Sequence, residues 1–427
     1  MSIEDLYKIF TKSSGVVTDS RKINKNCIFF SLKGANFNGN EFAKSAIDNG
    51  AMCAIVDEKK YFHDKKNYIY VEDCLDTLQK LANFHRNKID AKIIGITGSN
   101  GKTTSKELIN SVLKTEFITF CTKGNLNNHI GVPLSLLEIS VETEFAIIEM
   151  GANHIGEIKL LSKIAEPNYG YITNFGKAHL EGFGSEEGVI KGKSELYDFL
   201  ISSSGFIFYN SDDEKQNNIL SEYTNKFGFS QRESDFNYTV ISDNPNIILN
   251  VKNTVIESTL FGSYNIQNIV SAVSIGYYFG ISIEKIKVGI SNYISSNNRS
   301  QIVKKSSNKI VLDAYNANPT SMTLAIQSFN KSDLKNKILI LGDMYELGKE
   351  EDKFHQEIVD YCESLLVDRV FLIGEIFSKT SFTKKFISCK NYKELLDNKD
   401  FKSTINSNIL IKGSRGMQLE KIVDFII

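Results

Sequence analysis

The amino-acid sequence predicts an α/β protein with three domains. Two sets of apolar, strand-like runs alternate with helical patterns, one from about residue 92 to about residue 295 and one beyond residue 300. This alternation is typical of parallel sheets that are covered by helices. A polar stretch without periodicity, "NYISSNNRSQ", lies between the two sets and is interpreted as a linker. The 427 residues also exceed the usual length of one domain.

The first domain is predicted at residues 1–85, where the strand and turn signals are short. The strand-like runs are "VVTDSRKI", "CIFFSLKG", "AMCAIVD" and "NYIYVED". A stretch with helical periodicity, "LDTLQKLANFHRNK", follows and leads into the next strand. We therefore expect a small α/β domain here.

The central domain is predicted at residues 86–295, around a parallel sheet. Its strands are expected at "AKIIGIT", "FAIIEM", "YGYITN" and "GFIFYN". The less regular stretch from 211 to 260 contains "FGFS" and "NIILNV", which we expect as added antiparallel strands. A helix with a period near 3.6 residues is predicted at "NIQNIVSAVSIGYYF".

The third domain is predicted at residues 296–427 as a smaller doubly wound sheet. Its strands are expected at "KIVLDAYN", "KILILGDM", "RVFLIGE" and "NILIKGSRG". The polar residues of these motifs all follow the strand ends, where open α/β sheets bind their ligands.

Composition excludes several classes of protein. The net charge is −1, so no overall field attracts nucleic acid or a membrane surface. No apolar run approaches the ~20 residues of a membrane span, and "MSIEDLYKIF" lacks the apolar core of a signal peptide. The six cysteines are scattered without a CxxC pair, which favours reduced thiols. We therefore expect a cytoplasmic protein.

An apolar strand that runs into a glycine-rich turn, "IIGITGSNGKTT", predicts a phosphate cradle. The strict P-loop pattern fails, because Ile96 stands at its first glycine position. We still expect backbone N–H groups from Gly98 to Lys102 to surround phosphate oxygens at a helix start. Lys102 would contact the β- and γ-phosphates, and Thr103 would bind Mg²⁺. The alternative is a tight turn rich in glycine by chance. The cradle residues are Gly98, Ser99, Asn100, Gly101, Lys102, Thr103 and Thr104.

Two more residues are candidates for a metal site. Glu149 ends the strand "FAIIEM", so its carboxylate is expected at the sheet edge beside the cradle. The alternative for Glu149 is a solvated residue at a strand end. His179 follows "YGYITN" in a glycine-rich loop, and a lone histidine is more often structural or exposed than a ligand.

Nine motifs follow one another in a single order. They are "GITGSNGKTT", "GNLNNHIGVPLSLL", "EMGANHIGEI", "TNFGKAHLEGFG", "KGKSELYDF", "GSYNIQNIVSA", "DAYNANPTSM", "LGDMYELG" and "KGSRGMQLE". On these motifs the chain resembles the Mur ligase family, from "DSR" at 19–21 to "KGSRG" at 412–416. The pair "NANP" and "LGDMYELG" points, within that family, to the ligase that adds D-alanyl-D-alanine.

The resemblance implies an ATP-dependent ligase that joins D-alanyl-D-alanine to UDP-N-acetylmuramoyl-tripeptide through an acyl phosphate. The first domain would bind the UDP sugar, the central P-loop ATPase-like domain would bind ATP, and the C-terminal Rossmann-like domain would contact the dipeptide. ATP and Mg²⁺ at two sites would be the cofactors. A monomer is implied, without nucleic-acid partners or membrane insertion. The third residue of the peptide, L-lysine or meso-diaminopimelate, stays open.

The resemblance also implies catalytic and nucleotide-binding roles. Lys102, His179 and Lys193 would be catalytic, and the metals would be bound by Thr103, Glu149, His179 and Lys193. Lys193 would carry a carbamate, because its anionic oxygens suit a metal that an ammonium would repel. The alternative for Lys193 is an exposed lysine on a helix. On the nucleotide side, Asn268 is expected beside the adenine, Arg299 near the phosphates and Asp313 near the ribose.

Twelve residues are implied to bind the two acceptor substrates. They are Asp19, Ser20, Arg21, Lys33, Gly34, Asn127, Asn128, Thr173, Asn316, Asn318, Ser414 and Arg415. Arg415 and the turn before it could bind the dipeptide carboxylate, or Arg415 could lie on the surface of the last helix. The sequence departs from the family at "NGN", residues 38–40, where relatives commonly have Asp-Gly-His.

Three other functions remain open at this point. A folylpolyglutamate synthase would share the cradle and the lysine, but "DSR…LKG" favours the UDP-muramoyl substrate. A regulatory nucleotide hydrolase would need neither Lys193 nor His179. An enzyme that stops at the acyl phosphate would not need the third sheet.

Overall fold

The computed structural model describes residues 1–244 and 246–426, and its sheets follow one another along the chain in three groups. This is the mixed α/β architecture that the alternating sequence pattern predicts.

The N-terminal group is built around a four-stranded parallel sheet of order β1-β2-β5-β6, with β3 and β4 as a separate antiparallel hairpin. Its strands are β1 (Val16–Val17), β2 (Ile28–Phe30), β3 (Lys33–Gly34), β4 (Phe37–Asn38), β5 (Cys53–Val56) and β6 (Tyr68–Tyr70). Its helices are α1 (Ile3–Phe10), α2 (Ala43–Asp48) and α3 (Cys74–Arg86). Helix α3 begins where the Asp73 side chain accepts the N–H of Asp76.

The central group contains a seven-stranded parallel sheet of order β13-β12-β11-β10-β7-β9-β8. Its strands are β7 (Lys92–Thr97), β8 (Thr119–Cys121), β9 (Phe145–Glu149), β10 (Tyr169–Ile172), β11 (Phe206–Asn210), β12 (Lys226–Ser230) and β13 (Phe236–Asn237). The helices are α4 (Lys102–Leu113), α5 (Gly131–Leu137), α6 (Glu157–Ala165), α7 (Leu180–Phe183), α8 (Glu186–Ser202), α9 (Glu214–Ile219), α10 (Ile266–Tyr278) and α11 (Ile283–Ser291).

A three-stranded antiparallel sheet completes the central group. It consists of β14 (Thr239–Ser242), β15 (Asn246–Val251) and β16 (Thr254–Phe261). The prediction of added antiparallel strands is confirmed for "NIILNV", which is β15. It is wrong for "FGFS": β12 extends the parallel sheet beside β11, because its apolar side chains join the buried face of that sheet.

The C-terminal group has a six-stranded sheet of order β17-β18-β22-β19-β20-β21, parallel except for the β17–β18 pair. Its strands are β17 (Gln301–Lys305), β18 (Asn308–Asp313), β19 (Lys337–Gly342), β20 (Arg369–Ile373), β21 (Phe386–Cys389) and β22 (Asn408–Lys412). Its helices are α12 (Pro319–Lys331), α13 (Glu351–Glu363), α14 (Tyr392–Asp397) and α15 (Lys399–Lys402).

Alternating side chains of the C-terminal sheet enter two different cores. On β19, Leu339 and Leu341 pack with α12 and α13, whereas Ile338 and Ile340 pack on the opposite face. A parallel sheet that is covered on both faces needs such continuous apolar strands. The N-terminal and central groups share one core, which includes residues from Leu6 to Leu220.

Two predictions on composition can be compared with the described residues. All six cysteines are free thiols, and only Cys121 is not buried. None of the helices in the described part of the chain is long and apolar enough to cross a bilayer.

Candidate active site

The cradle lies between β7 and α4 and depends on two glycines with positive φ. Gly98 has φ 136° and Gly101 has φ 80°, which is the left-handed region that side chains with a Cβ rarely adopt. A Cβ on Gly101 would also collide with the Asn268 side chain. This turn lets α4 begin at Lys102 with the N–H groups of its first turn without helical partners. These groups are suited to bind anionic oxygens.

The structure leaves only part of the predicted cradle free for phosphate. The N–H of Ser99 donates to the Asn174 carbonyl at 3.0 Å, and the N–H of Asn100 donates to the Asn174 side-chain oxygen at 3.1 Å. The expectation that all N–H groups from Gly98 to Lys102 face the ligand is therefore wrong for these two. Asn174 follows β10 and fixes the loop from the neighbouring strand.

Lys102 folds back over the cradle. Its Nζ donates to the carbonyl of Gly98 at 2.7 Å and to that of Ser99 at 3.2 Å. The pKa of Lys102 is lowered to about 8, mainly by burial; the negative charge of Glu149 opposes this shift, and the positive charge of Arg299 adds to it. The amine therefore lies in the turn, where a bound anion would favour its charged form.

Glu149 and Thr103 bring two oxygen donors together, as the sequence predicts for Mg²⁺. Thr103 Oγ1 donates to Glu149 Oε2 at 2.9 Å, and Asn127 Nδ2 donates to Glu149 Oε1 at 2.9 Å. Glu149 is 1% exposed, which rules out the solvated strand-end residue. A hydroxyl and a carboxylate are oxygen ligands of the kind that Mg²⁺ prefers, so this pair fits a metal that also takes ligands from a bound nucleotide.

A buried lysine that the sequence analysis missed completes this cluster. Lys106 lies one helical turn after Thr103, is 1% exposed, and donates to the Thr122 carbonyl at 2.6 Å. Its Nζ is 3.6 Å from Glu149 Oε2. The helical spacing from Thr103 is the signal that could have revealed it.

The second predicted metal site has no preformed cluster. Across residues 1–244 and 246–426 there is no group of three or more His, Cys, Asp or Glu side chains that could hold a metal ion. His179 has φ 54°, and its Nδ1 contacts Glu346 Oε2 of the C-terminal group. Lys193 Nζ donates to the Ala152 carbonyl at 2.9 Å and lies 4.9 Å from the centre of the Phe183 ring.

Lys193 is not the exposed helical lysine that the sequence left as an alternative. It lies in α8 and is completely buried. Burial holds the pKa of Lys193 well below its ordinary value, and the nearby charge of Lys102 lowers it further. A buried amine that stays neutral is a nucleophile, whereas a surface ammonium is not.

The predicted nucleotide residues come from α10, from the segment before β17 and from β18. Asn268 lies in the first turn of α10 and accepts a hydrogen bond from Ser105 Oγ at 3.0 Å. The Arg299 guanidinium lies 3.8 Å from the centre of the Tyr315 ring. Asp313 at the end of β18 accepts a hydrogen bond from Lys412 Nζ at 2.6 Å. Lys412 is a charged residue at the end of an apolar strand, which is a signal that the sequence analysis did not use.

The predicted dipeptide residues follow β18 and β22. Asn318 caps α12 by accepting the N–H of Ser321, and its Nδ2 donates to Asn100 Oδ1 of the cradle at 2.7 Å.

Arg415 is largely exposed and donates to Glu420 Oε1 at 3.1 Å. Ser414 is buried and accepts the N–H of Tyr345 at 3.0 Å. Asn316 is exposed, and its carbonyl accepts a hydrogen bond from Lys412 Nζ at 3.2 Å.

One cavity of about 1330 Å³ collects most of the predicted residues from the central and C-terminal groups. The predicted residues that line it are Ser99, Asn100, Gly101, Lys102, Thr103, Thr104, Asn127, Asn128, Glu149, Thr173, His179, Asn268, Arg299, Asp313, Asn316, Asn318 and Arg415. Gly98, Lys193 and Ser414 are predicted site residues that do not line it.

The five predicted residues of the N-terminal group are absent from the wall of this cavity. Arg21 donates to both oxygens of Asp19, at 2.9 and 2.8 Å, and this holds the pKa of Asp19 at about 2. Ser20 begins a short 3-10 helix between them. Lys33 Nζ pairs with Asp57 at 3.0 Å, and the Phe37 ring packs on Gly34.

The departure at residues 38–40 leaves Asn40 without a ligand-facing role. Asn40 is fully buried, donates to Asp57 Oδ1 at 2.8 Å and accepts the N–H of Asp57 at 3.1 Å. Its side chain also donates to Asn38 Oδ1 at 2.9 Å. The Asn40 amide therefore stabilises the loop through hydrogen bonds within the protein.

Three family models match consecutive parts of the chain. "Mur ligase family, catalytic domain" matches residues 12–86, "Mur ligase middle domain" matches residues 96–276, and "Mur ligase, glutamate ligase domain" matches residues 298–415. The chain is 36% identical to a UDP-N-acetylmuramoyl-tripeptide–D-alanyl-D-alanine ligase from Bacillus subtilis, over 97% of this chain and 93% of the relative.

Solved structures agree along the same length. The crystal structure of MurF from Acinetobacter baumannii has a TM-score of 0.88 and 28% identity, and covers 100% of this chain and 98% of its own. MurF from Thermotoga maritima in complex with ADP has a TM-score of 0.86 and 26% identity, covering 98% and 97%. A folylpolyglutamate synthase from Thermotoga maritima is 13% identical with a TM-score of 0.61 over 82% of this chain and 92% of its own, so that likeness shows the fold alone.

Proposed function

This chain belongs to the Mur ligase family, and we propose on that basis that it adds D-alanyl-D-alanine to UDP-N-acetylmuramoyl-tripeptide. The enzyme is an ATP-dependent ligase that forms a carbon–nitrogen bond in peptidoglycan precursor synthesis. The observation that carries this function is the full-length match to ligases that are named for this reaction. The related folate ligase is a far more distant match.

The cavity supports a reaction in which two large substrates meet. Its volume of about 1330 Å³ exceeds the range of roughly 300–1,000 Å³ that is common for one drug-sized ligand. The start of α4 and Asn268 of the central group line it, and so do Asn316, Asn318 and Arg415 of the C-terminal group. ATP in the cradle and the dipeptide beside the C-terminal sheet would therefore face each other.

The first chemical step makes the carboxylate of the tripeptide reactive. A carboxylate oxygen attacks the γ-phosphorus of ATP, an oxygen–phosphorus bond forms, and the bond from the γ-phosphorus to the β–γ bridging oxygen breaks to release ADP. The N–H groups at the start of α4 and the Lys102 amine would stabilise the transferred phosphoryl oxygens.

We propose that Thr103 and Glu149 hold the first Mg²⁺, which when bound offsets the negative charge that gathers on the phosphates. His179 and Lys193 would belong to a second site. Burial lowers the pKa of the Lys193 amine and so favours its neutral form, which is the form that reacts with carbon dioxide to give a carbamate. That modification would introduce a negative charge at this position.

The second step forms the amide. The amine of D-alanyl-D-alanine attacks the acyl carbon, the carbon–nitrogen bond forms, the carbon–oxygen bond to phosphate breaks, and one proton leaves the amine. Arg415 is a candidate partner for the dipeptide carboxylate, and the Asn318 side chain connects that side to the cradle.

We further propose the domain limits 1–85, 86–295 and 296–427, with the UDP end bound by the first domain. Asp19, Ser20, Arg21, Lys33 and Gly34 lie outside the cavity of the other two groups, as residues for the distant UDP end would. The resemblance that supports these limits also supports a cytoplasmic monomer.

Phosphate release tests the proposed function. Release from ATP should require both UDP-N-acetylmuramoyl-tripeptide and D-alanyl-D-alanine, and the nucleotide-linked product should gain the mass of the dipeptide less one water. Folate with glutamate serves as the control pair for the alternative ligase. Phosphate release that does not depend on the muramoyl substrate and the dipeptide, or that requires folate and glutamate instead, would refute the proposal.

A further inference from the structure

Two residues with left-handed backbone conformations face each other where the central and C-terminal groups meet. His179 has φ 54° and Glu346 has φ 64°. His179 Nδ1 contacts Glu346 Oε2 across this boundary. Residues other than glycine rarely adopt such backbone angles, and the surrounding structure must hold them there. Neither the cradle nor the predicted metal ligands explains why Glu346 should adopt this conformation.

The loop that carries His179 is bound to the C-terminal group on both sides of the imidazole. Before it, the N–H of Lys177 donates to Thr320 Oγ1 of α12 at 3.2 Å. After it, the N–H of Glu181 donates to the Glu346 carbonyl at 3.4 Å. Gly348 also approaches Glu181 closely, since a Cβ on this glycine would lie 3.5 Å from the Glu181 Cα. The position of His179 therefore depends on contacts that another domain supplies.

The ring atom that meets Glu346 determines which nitrogen remains available. A neutral imidazole carries one proton, and a carboxylate beside Nδ1 favours the proton at that atom. Nε2 then keeps its lone pair. Histidines that bind metals commonly donate their other N–H to a carboxylate. His179 and Glu346 both line the large cavity, so the free nitrogen would belong to the active site.

We infer that Glu346 is a positioning residue for His179: it holds the imidazole through Nδ1 and leaves Nε2 available for a divalent cation. The assignment of a cation to His179 rests on the proposed function, but the position and tautomer of the ring do not. Glu346 follows β19 in the C-terminal group, so docking of that group prepares a side chain of the central group. The third domain thus contributes to the metal site as well as to the dipeptide site.

Nitrogen NMR tests the tautomer directly. The chain has six histidines, and His179 is assigned in protein with ¹⁵N-labelled histidine by the signal that His179→Gln removes. Long-range proton–nitrogen spectra are recorded without substrates at mildly alkaline pH, where imidazoles are ordinarily neutral. Glu346→Ala removes the acceptor, and Glu346→Gln keeps an oxygen that can accept the Nδ1 proton. Glu350→Ala is the matched control, because this exposed carboxylate of the same loop pairs with Lys353 instead.

The wild type, Glu346→Gln and Glu350→Ala should show a protonated Nδ1 and an unprotonated Nε2. Glu346→Ala should shift His179 toward the Nε2–H form. The Mg²⁺ concentration for half-maximal ADP formation should then rise about tenfold in Glu346→Ala, which is the lower end of the loss seen when the partner of a metal ligand is removed. In Glu350→Ala it should stay near the wild-type value.

An Nε2–H tautomer in the wild type would overturn the inference, and so would a spectrum of Glu346→Ala identical to that of the wild type. The spectra need no catalysis, so they separate this inference from the proposed function. A tautomer shift in a protein without ligase activity would support the positioning role while refuting the ligase.

Discussion

The Thr103 hydroxyl donates a hydrogen bond to the Glu149 carboxylate at 2.9 Å, although the two residues lie 46 positions apart in the chain. Thr103 is in the first turn of α4, which follows β7, and Glu149 ends β9, which pairs with β7 in parallel. The register of these two strands therefore places an oxygen donor from each beside the cradle. Asn127 binds the second carboxylate oxygen and fixes its orientation.

Replacing Glu149 with Gln should raise the Mg²⁺ requirement. The amide removes the negative charge beside Thr103, so we expect the Mg²⁺ concentration for half-maximal activity to rise by at least about tenfold. A Mg²⁺ titration of ADP formation measures it. Glu138→Gln is the control, since Glu138 pairs with Lys123 on the surface. Equal Mg²⁺ requirements in the two variants would argue against Glu149 as a ligand.

Lys193 should take up labelled bicarbonate, and Lys191 should not. Both lie on α8, but Lys191 is exposed, whereas burial depresses the pKa of Lys193. Protein equilibrated with ¹³C-bicarbonate should show one carbamate carbon signal that Lys193→Arg loses and Lys191→Arg keeps. Activity should fall reversibly when carbon dioxide is removed. A signal that survives in Lys193→Arg would contradict the assignment.

ATP binding should take up protons at mildly alkaline pH. The pKa of Lys102 in the free protein is about 8, so the amine is partly neutral there, and phosphate charge favours its ammonium form. Uptake should vanish well below pH 8, where Lys102 is already protonated. Heats of ATP binding in buffers with different ionisation enthalpies measure the protons. Uptake that is unchanged in Lys102→Met would refute this origin.

Lys412 and Asp313 form a nearly buried pair at the ends of β22 and β18, with Lys412 2% exposed on its side chain. Lys412→Met should destabilise the protein by about 3 kcal/mol, because it leaves the carboxylate without its partner. The double variant with Asp313→Leu should recover much of the loss. The midpoint of thermal unfolding reports both. Lys402→Met, which breaks the exposed pair with Asp397, should change it little. A similar loss in both single variants would contradict this account.

Periodicity and strand ends predicted the parts of the fold that local sequence controls. The apolar runs at β7, β9, β10 and β19 form strands because their side chains fill a continuous core on both faces. "FGFS" was misassigned because a short apolar run carries no signal for its partner strand. Its partner is β11, with which three residues of the run, Phe227 to Phe229, pair in parallel.

The site was predictable where residues follow one strand and less so where two domains meet. The pairing of Thr103 with Glu149 follows from adjacent strand ends. The contacts of Glu346 with His179 and of Asn318 with Asn100 join distant segments, and no local pattern records them. The burial of Lys193 could not be predicted from the local sequence either, because a lysine on a helix is ordinarily solvated.

Transfer of oxygen tests the central claim most directly, namely that the cradle uses ATP to activate a carboxylate. UDP-N-acetylmuramoyl-tripeptide is labelled with oxygen-18 in its terminal carboxylate and converted with ATP and D-alanyl-D-alanine, and the released phosphate is analysed by mass. An acyl phosphate predicts that one labelled oxygen moves from the carboxylate to each phosphate, since the carbon–oxygen bond breaks when the amide forms. Phosphate without the label would show that ATP is hydrolysed by water and would contradict the ligase mechanism.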